Sequence, residues 1–349
     1  MPEAVYAAAL LRELETRAPS LRAAPLGSIY FGGGTPSKFA PPTIGGLLAA
    51  GQANFSVRRD LEVTLEANPE SVTEKKLAGF RAAGVNRLSL GVQSFNPKHL
   101  AGLGRLHSAD QARRAGRAAR AAGFENLSLD LIFALPGQTL KELALDLDQA
   151  LALEPDHLSV YELTWEKDTE LERARQQGKL KPVSEELAAE MFLLAAGKLA
   201  AAGLARYEVS NFARPGYECR HNLSGWALEP YLGLGAAAHS LLPSGERQAN
   251  VPDLNGYLDQ VGKVGRAVAS FEPADPERER REFIFLGLRT VQGISLADYQ
   301  KRCGRELLAE RAQAIQSLRA LKIISLRRGR LHLTPKGFLL ADAAALELI

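Results

Sequence analysis

A chain of 349 residues is long enough for two domains, or for one large barrel with a small appendage. Its composition, 46% hydrophobic and 24% charged, is that of an ordinary globular protein, and a net charge of +3 is too small to favour nucleic-acid binding. No run approaches the roughly 20 apolar residues of a membrane helix, and residues 1–18 predict an amphipathic helix rather than a signal peptide. We therefore expect a cytoplasmic protein, in which Cys219 and Cys303 stay reduced.

Between Leu26 and Val160, β-like segments alternate with helical ones. The predicted strands cover residues 27–34, 61–69, 86–95, 125–137 and 156–165. The predicted helices lie between them at residues 41–52, 73–84, 108–123 and 140–153. Strict alternation predicts a parallel sheet, and nearly continuous apolar strands indicate that both of its faces are covered. In such folds the carboxyl ends of the strands carry the active site.

The second half of the chain has a looser pattern. A helix is predicted at 184–202, and the segments "LARYEVSNFARPGYECRHNLSGW" and "YLGLGAAAHS" predict a strand, a loop and another strand. Residues 241–275 are rich in Pro, Gly and polar residues and predict a linker. From Pro276 onward, three helical segments, a two-stranded element and a last helix predict a winged-helix-like module. We therefore expect domains at 1–240 and 276–349.

Polar and glycine residues follow successive predicted strands, and the carboxyl ends of parallel strands meet at one edge. These residues are Gly32, Gly33, Gly34, Thr35, Glu66, Gln93 and Asp130, with Arg105 on a following loop. The set suits a ligand with an ammonium group, a carboxylate and hydroxyls, because Arg pairs with carboxylates in forked geometry. Phosphate is the alternative for a glycine-rich backbone, although the neighbouring carboxylates disfavour it. The alternatives are a flexible turn for the glycines, and helix caps or structural ion pairs for the carboxylates. The occurrence of all these residues at successive strand ends favours a binding site.

The ordered motifs resemble a known family. They are "IYFGGGTPS", "LEANPES", "GVNRLSLGVQSF", "LGRLHS", "LDLIFALPGQT" and "SNFARPGYECRHNLSGW". Together they are similar to radical S-adenosylmethionine (SAM) proteins related to oxygen-independent coproporphyrinogen III oxidase, and most of all to heme chaperones of the HemW type. The resemblance implies an α/β fold, a partial (β/α)6-type radical SAM barrel lacking its first strand, followed by a winged-helix-like α+β module. It also implies that Gly32, Gly33, Gly34, Thr35, Glu66, Gln93, Arg105 and Asp130 bind S-adenosylmethionine, with Arg105 on its carboxylate.

The same resemblance points to heme. Residues 220–226 correspond to a His-Asn-x-x-Tyr-Trp motif associated with heme in HemW-type proteins, which makes His221 the candidate contact to heme iron. A plain hydrogen-bonding role is the alternative for a histidine on a loop. Three residues lie close by in sequence: Cys219, Trp226 and His239. They either line the same heme pocket or serve only as packing residues. Gly225 departs from the motif, which has tyrosine at that position.

The resemblance has one large gap. The family carries a Cys-x-x-x-Cys-x-x-Cys motif for a 4Fe-4S cluster, and this sequence has no such spacing. Either the start is misassigned or the chain is a short form. No iron–sulfur ligand and no catalytic residue is therefore assigned, and cluster-dependent chemistry is not expected from the chain as written.

Three functions are considered. The first is a heme chaperone that binds heme and transfers it to an acceptor protein, meeting a membrane only through that acceptor. The second is an enzyme of porphyrin biosynthesis similar to oxygen-independent coproporphyrinogen III oxidase, in a longer form. The third, of another class, is a winged-helix protein that binds nucleic acid through Arg327, Arg328 and Arg330, which the low net charge does not support.

Overall fold

The structure, a computed structural model, describes residues 3–21 and 25–349. The first half contains α1 (Glu3–Arg17), β1 (Leu26–Phe31), α2 (Pro41–Asn54), β2 (Val57–Ala67), α3 (Glu74–Ala82), β3 (Arg87–Gln93), α4 (Pro97–Gly102), α5 (Ala109–Ala121), β4 (Asn126–Phe133), α6 (Leu140–Leu151) and β5 (His157–Glu162). The middle contains α7 (Glu170–Gln176), α8 (Glu185–Ala201), β6 (Ala205–Arg206), β7 (Asn211–Ala213), α9 (Arg220–Trp226), β8 (His239–Leu241), β9 (Arg247–Asn250), α10 (Leu254–Val264) and β10 (Val268–Glu272). The last part contains α11 (Pro276–Leu288), β11 (Ile294–Ser295), α12 (Leu296–Cys303), α13 (Leu307–Glu310), α14 (Ala312–Ala320), β12 (Ile324–Arg327), β13 (Arg330–Leu333) and α15 (Ala341–Leu348).

A seven-stranded sheet in the order β1-β2-β3-β4-β5-β7-β6 forms a partial barrel. Strands β2 to β5 are parallel, as the alternation predicts, and β7 runs antiparallel to β5. Every residue of the central strand β3 is buried, including the polar Arg87, Ser89 and Gln93, as expected for a strand covered on both faces. The predicted fold class is confirmed: an α/β partial barrel of the radical SAM type with a C-terminal module.

Capping residues mark the starts of helices α5 and α6. Ser108 is the N-cap of α5: its hydroxyl accepts a hydrogen bond from the Gln111 backbone N–H at 3.2 Å, and the Gln111 side chain accepts one from the Ser108 N–H at 2.8 Å. Such a capping box satisfies two of the free N–H groups at a helix start. Thr139 and Glu142 cap α6 in the same reciprocal way.

The region from 204 to 275 differs from its predicted elements. Residues 204–226 form two short strands and the helix α9 instead of one strand and a loop, and most of 231–240 is irregular. Helix α9 has no buried residue, so its sequence shows no apolar period that could reveal it. The segment 241–275, predicted as a linker, contains β9, α10 and β10, and the sheet order there is β10-β9-β8. The boundaries at 240 and 275 stay a prediction.

The C-terminal elements match their prediction more closely. Strands β12 and β13 form an antiparallel hairpin that pairs Leu326 with Leu331, and β11 adds a short third strand. Arg328 and Gly329 both have positive φ angles at the turn, 49° and 70°, which suits a tight hairpin turn. Within residues 3–21 and 25–349, no helix combines the length and the apolar character needed to cross a bilayer.

By internal contacts the chain divides into two compact units. One comprises the described part of residues 1–29 together with 41–62 and 219–349, and the other comprises 30–40 and 63–218. All eight residues predicted to bind S-adenosylmethionine belong to the second unit, whereas His221 belongs to the first. The two sets are therefore described separately.

Candidate functional site

The three glycines after β1 are required by the local backbone. Gly33 and Gly34 have φ angles of 75° and 67°, in the left-handed region that side chains disfavour. Gly32 is required by crowding, because a Cβ there would lie 2.7 Å from the Tyr30 ring and 3.2 Å from the Glu66 carboxyl carbon. All three glycines are exposed. They form an open backbone surface at the carboxyl end of β1, as their position in the sequence predicts.

Glu66 holds this turn from the neighbouring strand. Its carboxylate accepts a hydrogen bond from the Tyr30 hydroxyl at 2.8 Å and another from the Gly33 N–H at 3.2 Å. Burial, followed by the charge and hydrogen bond of Glu66, raises the pKa of the Tyr30 phenol, so Tyr30 stays a donor. Thr35, beyond the glycines, accepts a hydrogen bond from the Asn68 side chain at 3.4 Å. Glu66 thus shapes the glycine turn and keeps a half-buried carboxylate beside it.

Asp130 lies within β4, opposite Gly91 of β3 and Ser159 of β5, and not at the last residue of the strand. Both of its carboxylate oxygens lie 3.1 Å from the Ser89 hydroxyl, which donates to them. Burial raises the pKa of Asp130 to about 6, partly opposed by a hydrogen bond from Ser159 and the charge of Arg87, while Glu66 contributes a smaller increase. The raised pKa of Asp130 therefore comes mainly from its burial among the neighbouring strands.

Gln93 ends β3 in an unusual conformation. Its φ is 65°, a region that costs a non-glycine residue roughly 1–2 kcal/mol. The pairing with β4 is irregular between Gly91 and Gln93, which redirects the last residue of the strand. A Cβ on Gly91 would lie 2.9 Å from the Gln93 amide nitrogen and 3.2 Å from the Asn68 side-chain oxygen. Gln93 therefore packs back over β3, next to Asn68 at the end of β2.

Arg105 lies on the loop between α4 and α5, and His107 attaches that loop to the sheet. His107 is 3% exposed; its Nε2 lies 3.0 Å from the Val92 carbonyl oxygen and its Nδ1 lies 3.3 Å from the Glu70 carboxylate. These contacts anchor the loop at the carboxyl ends of β2 and β3. Within residues 3–21 and 25–349, the half-buried Arg105 guanidinium forms no ion pair. A cation of this kind is suited to a ligand carboxylate.

Sequence reasoning missed the supporting residues. The strand-end pattern does not predict Tyr30, Ser89 and His107, although all three stand inside the quoted motifs "IYFGGGTPS", "GVNRLSLGVQSF" and "LGRLHS". A buried histidine or serine has no distinctive spacing, so only its contacts identify it.

His221 lies in the other unit, at the start of α9. It is half-buried, and its backbone N–H donates to Glu62 at 3.2 Å. Cys219, just before the helix, is fully buried, and Trp226 ends the helix beneath the guanidinium of Arg289, 5.9 Å from the ring centre. Residue 220 is tied to β2 by an ion pair of its guanidinium with Asp60 at 2.6 Å.

The cysteines do not suit an iron–sulfur cluster. The sequence has only Cys219 and Cys303, and within the described ranges no group of three or more His, Cys, Asp or Glu residues is arranged to hold a metal ion. A 4Fe-4S cluster needs several closely placed thiolates. The residues of this chain therefore do not fit such a cluster.

Two family models match parts of this chain. The Radical SAM superfamily model matches residues 6–150, which include all eight residues of the glycine and carboxylate site, and the HemN C-terminal domain model matches 274–340. The crystal structure of coproporphyrinogen III oxidase (HemN) from Escherichia coli superimposes with a TM-score of 0.82, covering 98% of this chain and 82% of that one. Its sequence identity is 24%, so this likeness establishes the fold.

Two curated relatives show the family to which this chain belongs. The heme chaperone HemW of Bacillus subtilis (strain 168) is 36% identical over 91% of this chain and 84% of its own length. The heme chaperone HemW of Mycobacterium tuberculosis (strain H37Rv) is 38% identical over 98% of this chain and 85% of its own length. At these identities and coverages, the chain belongs to the family of HemW heme chaperones within the radical SAM superfamily.

Proposed function

We propose that this protein binds heme and passes it to an acceptor protein, and that it holds S-adenosylmethionine at the glycine and carboxylate site. The observation that carries the proposal is the set of curated heme chaperones that match most of this chain at 34–38% identity. The acceptor is a partner whose identity is open.

The site residues support S-adenosylmethionine by their chemistry. The exposed glycine backbone and the Glu66 carboxylate suit the ligand's ammonium group, and the Arg105 guanidinium suits its carboxylate. Gln93 and Asp130 lie where they can meet hydroxyls, and Asp130, with a pKa of about 6, is mainly ionised at neutral pH. A side chain at Gly32 would collide with Tyr30 and Glu66, so the cradle is built for close backbone approach.

Heme is assigned to α9. An imidazole is a good iron ligand, and His221 carries one on a short helix of the first unit that has no buried residue. Trp226 on the same helix adds a flat apolar ring of the kind that packs on a porphyrin.

Hemin titration tests the heme assignment. Wild-type protein should give a red-shifted Soret band that saturates near one hemin per chain, and His221→Ala should weaken binding at least tenfold. The matched control is His332→Ala, a histidine on the β13 strand of the hairpin. A spectrum and affinity unchanged in His221→Ala, or lost equally in His332→Ala, would overturn the role of His221.

Calorimetric titration with S-adenosylmethionine tests the other site independently of heme. Arg105→Ala should raise Kd at least tenfold, since a charge-assisted pair contributes roughly 1.5–3 kcal/mol. Arg117→Ala, on the exposed face of α5, is the control and should leave Kd unchanged. Equal affinities for wild type and Arg105→Ala would remove Arg105 from the site.

The oxidase alternative has less support. Curated heme chaperones match most of the chain at 34–38% identity, and the likeness to coproporphyrinogen III oxidase shows only the fold.

A further inference from the structure

Helix α9 is a short helix with little buried surface. It is seven residues long, includes Gly225, and none of its residues is buried. Isolated helices of this length are unstable in water, because the cost of nucleation is not recovered. Its N-cap residue, Cys219, makes no capping hydrogen bond with its side chain. Contacts at its two ends therefore contribute to fixing the position of α9.

The first end is held by Glu62 of β2, which is 7% exposed. Its carboxylate accepts hydrogen bonds from the backbone N–H groups of Arg220 and His221 at 3.0 and 3.2 Å, and from the Cys219 thiol at 3.5 Å. An anion at a helix N-terminus is favoured by the helix dipole and satisfies the free N–H groups. Glu62 thus supplies, from another element, the cap that Cys219 does not provide.

The second end is held from the C-terminal module by Arg302 of α12. Its guanidinium donates to the carbonyl oxygens of Ala227 and Leu228 at 3.2 and 3.1 Å, just past the end of α9. A cation at this end has the sign that the helix dipole favours. The same guanidinium pairs with Glu279 of α11, which keeps it oriented.

We propose that Glu62 and Arg302 are positioning residues that fix α9, and through it the His221 imidazole, for heme. The inference rests on the proposed heme role of His221. It gives the C-terminal module a part in that role: Arg302 joins the module to the helix that carries the heme contact.

Hemin titration followed by the Soret band tests the inference, with far-UV circular dichroism and thermal unfolding as folding checks. Glu62→Gln keeps the size of the side chain and removes its charge. Arg302→Lys keeps the positive charge and removes the guanidinium group that donates to two carbonyl oxygens. Each should raise the hemin Kd about tenfold and alter the Soret band, while the circular dichroism stays that of the wild type. Glu74→Gln and Lys301→Ala are matched surface controls and should change neither.

A double variant separates positioning from a general effect. If Glu62 acts through His221, Glu62→Gln combined with His221→Ala binds hemin no more weakly than His221→Ala alone. Additive losses, or single variants with wild-type Kd and spectrum, would overturn the positioning role. If Glu62→Gln fails to fold, Arg302→Lys carries the same test with His221→Ala. Failure of the heme proposal looks different, because His221→Ala itself would then bind hemin like the wild type.

Discussion

Asp130→Asn should stabilise the protein at alkaline pH, although it removes a residue of the proposed ligand site. Burial raises the pKa of Asp130 from 3.8 to about 6, so the ionised carboxylate is less favourable in the folded state than in the unfolded chain. This difference corresponds to about 3 kcal/mol of unfolding free energy, taken as an upper value because part of the side chain is open to solvent. Asparagine keeps the shape and can still accept the hydrogen bond from Ser89.

The pH dependence gives the sign of the effect. Above pH 6, Asp130 is ionised in the folded and the unfolded state, and the full cost of burying its charge lowers the stability. As the pH falls, Asp130 takes up a proton in the folded state before it does so in the unfolded chain. The penalty shrinks between pH 6 and pH 4 and disappears below the unfolded pKa of 3.8. The stability gained by Asp130→Asn should therefore be about 3 kcal/mol at pH 8 and about 1 kcal/mol at pH 4.5.

Urea unfolding followed by circular dichroism at the two pH values measures this gain. Asp259→Asn is the control, because Asp259 forms an exposed ion pair with Lys263 at 2.6 Å and should change stability by less than about 1 kcal/mol at either pH. A loss of stability in Asp130→Asn at pH 8, or a gain that does not depend on pH, would refute burial as the source of the raised pKa.

Three further changes test the fold. Gly33→Ala should lower the free energy of unfolding in urea by about 1–2 kcal/mol, because φ at Gly33 is 75°. Gly46→Ala, in helix α2 with open space around it, should raise it by about 1 kcal/mol. Equal effects of the two changes would contradict the role of the Gly33 backbone. Leu90→Ala in the buried strand β3 should cost about 2–5 kcal/mol by the same measurement, against less than about 0.5 kcal/mol for the exposed Leu346→Ala. Glu208→Gln should stabilise the protein at pH 9 more than at pH 5, because burial raises the pKa of Glu208 to about 7; a gain independent of pH would argue against this.

The parallel sheet could be predicted because its signals are local. Apolar strands, helix periods and the Ser108 cap each depend on a few neighbouring residues, and the structure confirms them. Placing Gly32, Glu66 and Gln93 at one edge followed from the rule that parallel strands end together. Helix α9 could not be found in this way, because none of its residues is buried. Strand β10 is mostly exposed, whereas α10 buries Tyr257 and Val261 in a segment whose Pro, Gly and polar content predicts a linker.

The sequence by itself determined the alternation of strands and helices from β1 to β5, the family, and that Gly32, Glu66 and Gln93 stand at or near strand ends, since these depend on neighbours along the chain. Only the tertiary structure decided what those residues touch. Ser89 donates to Asp130 across 41 residues of chain, and Glu62 caps α9 across 158. Contacts at such separations depend on how the strands pack, and one serine or glutamate among many carries no local pattern that announces its partner.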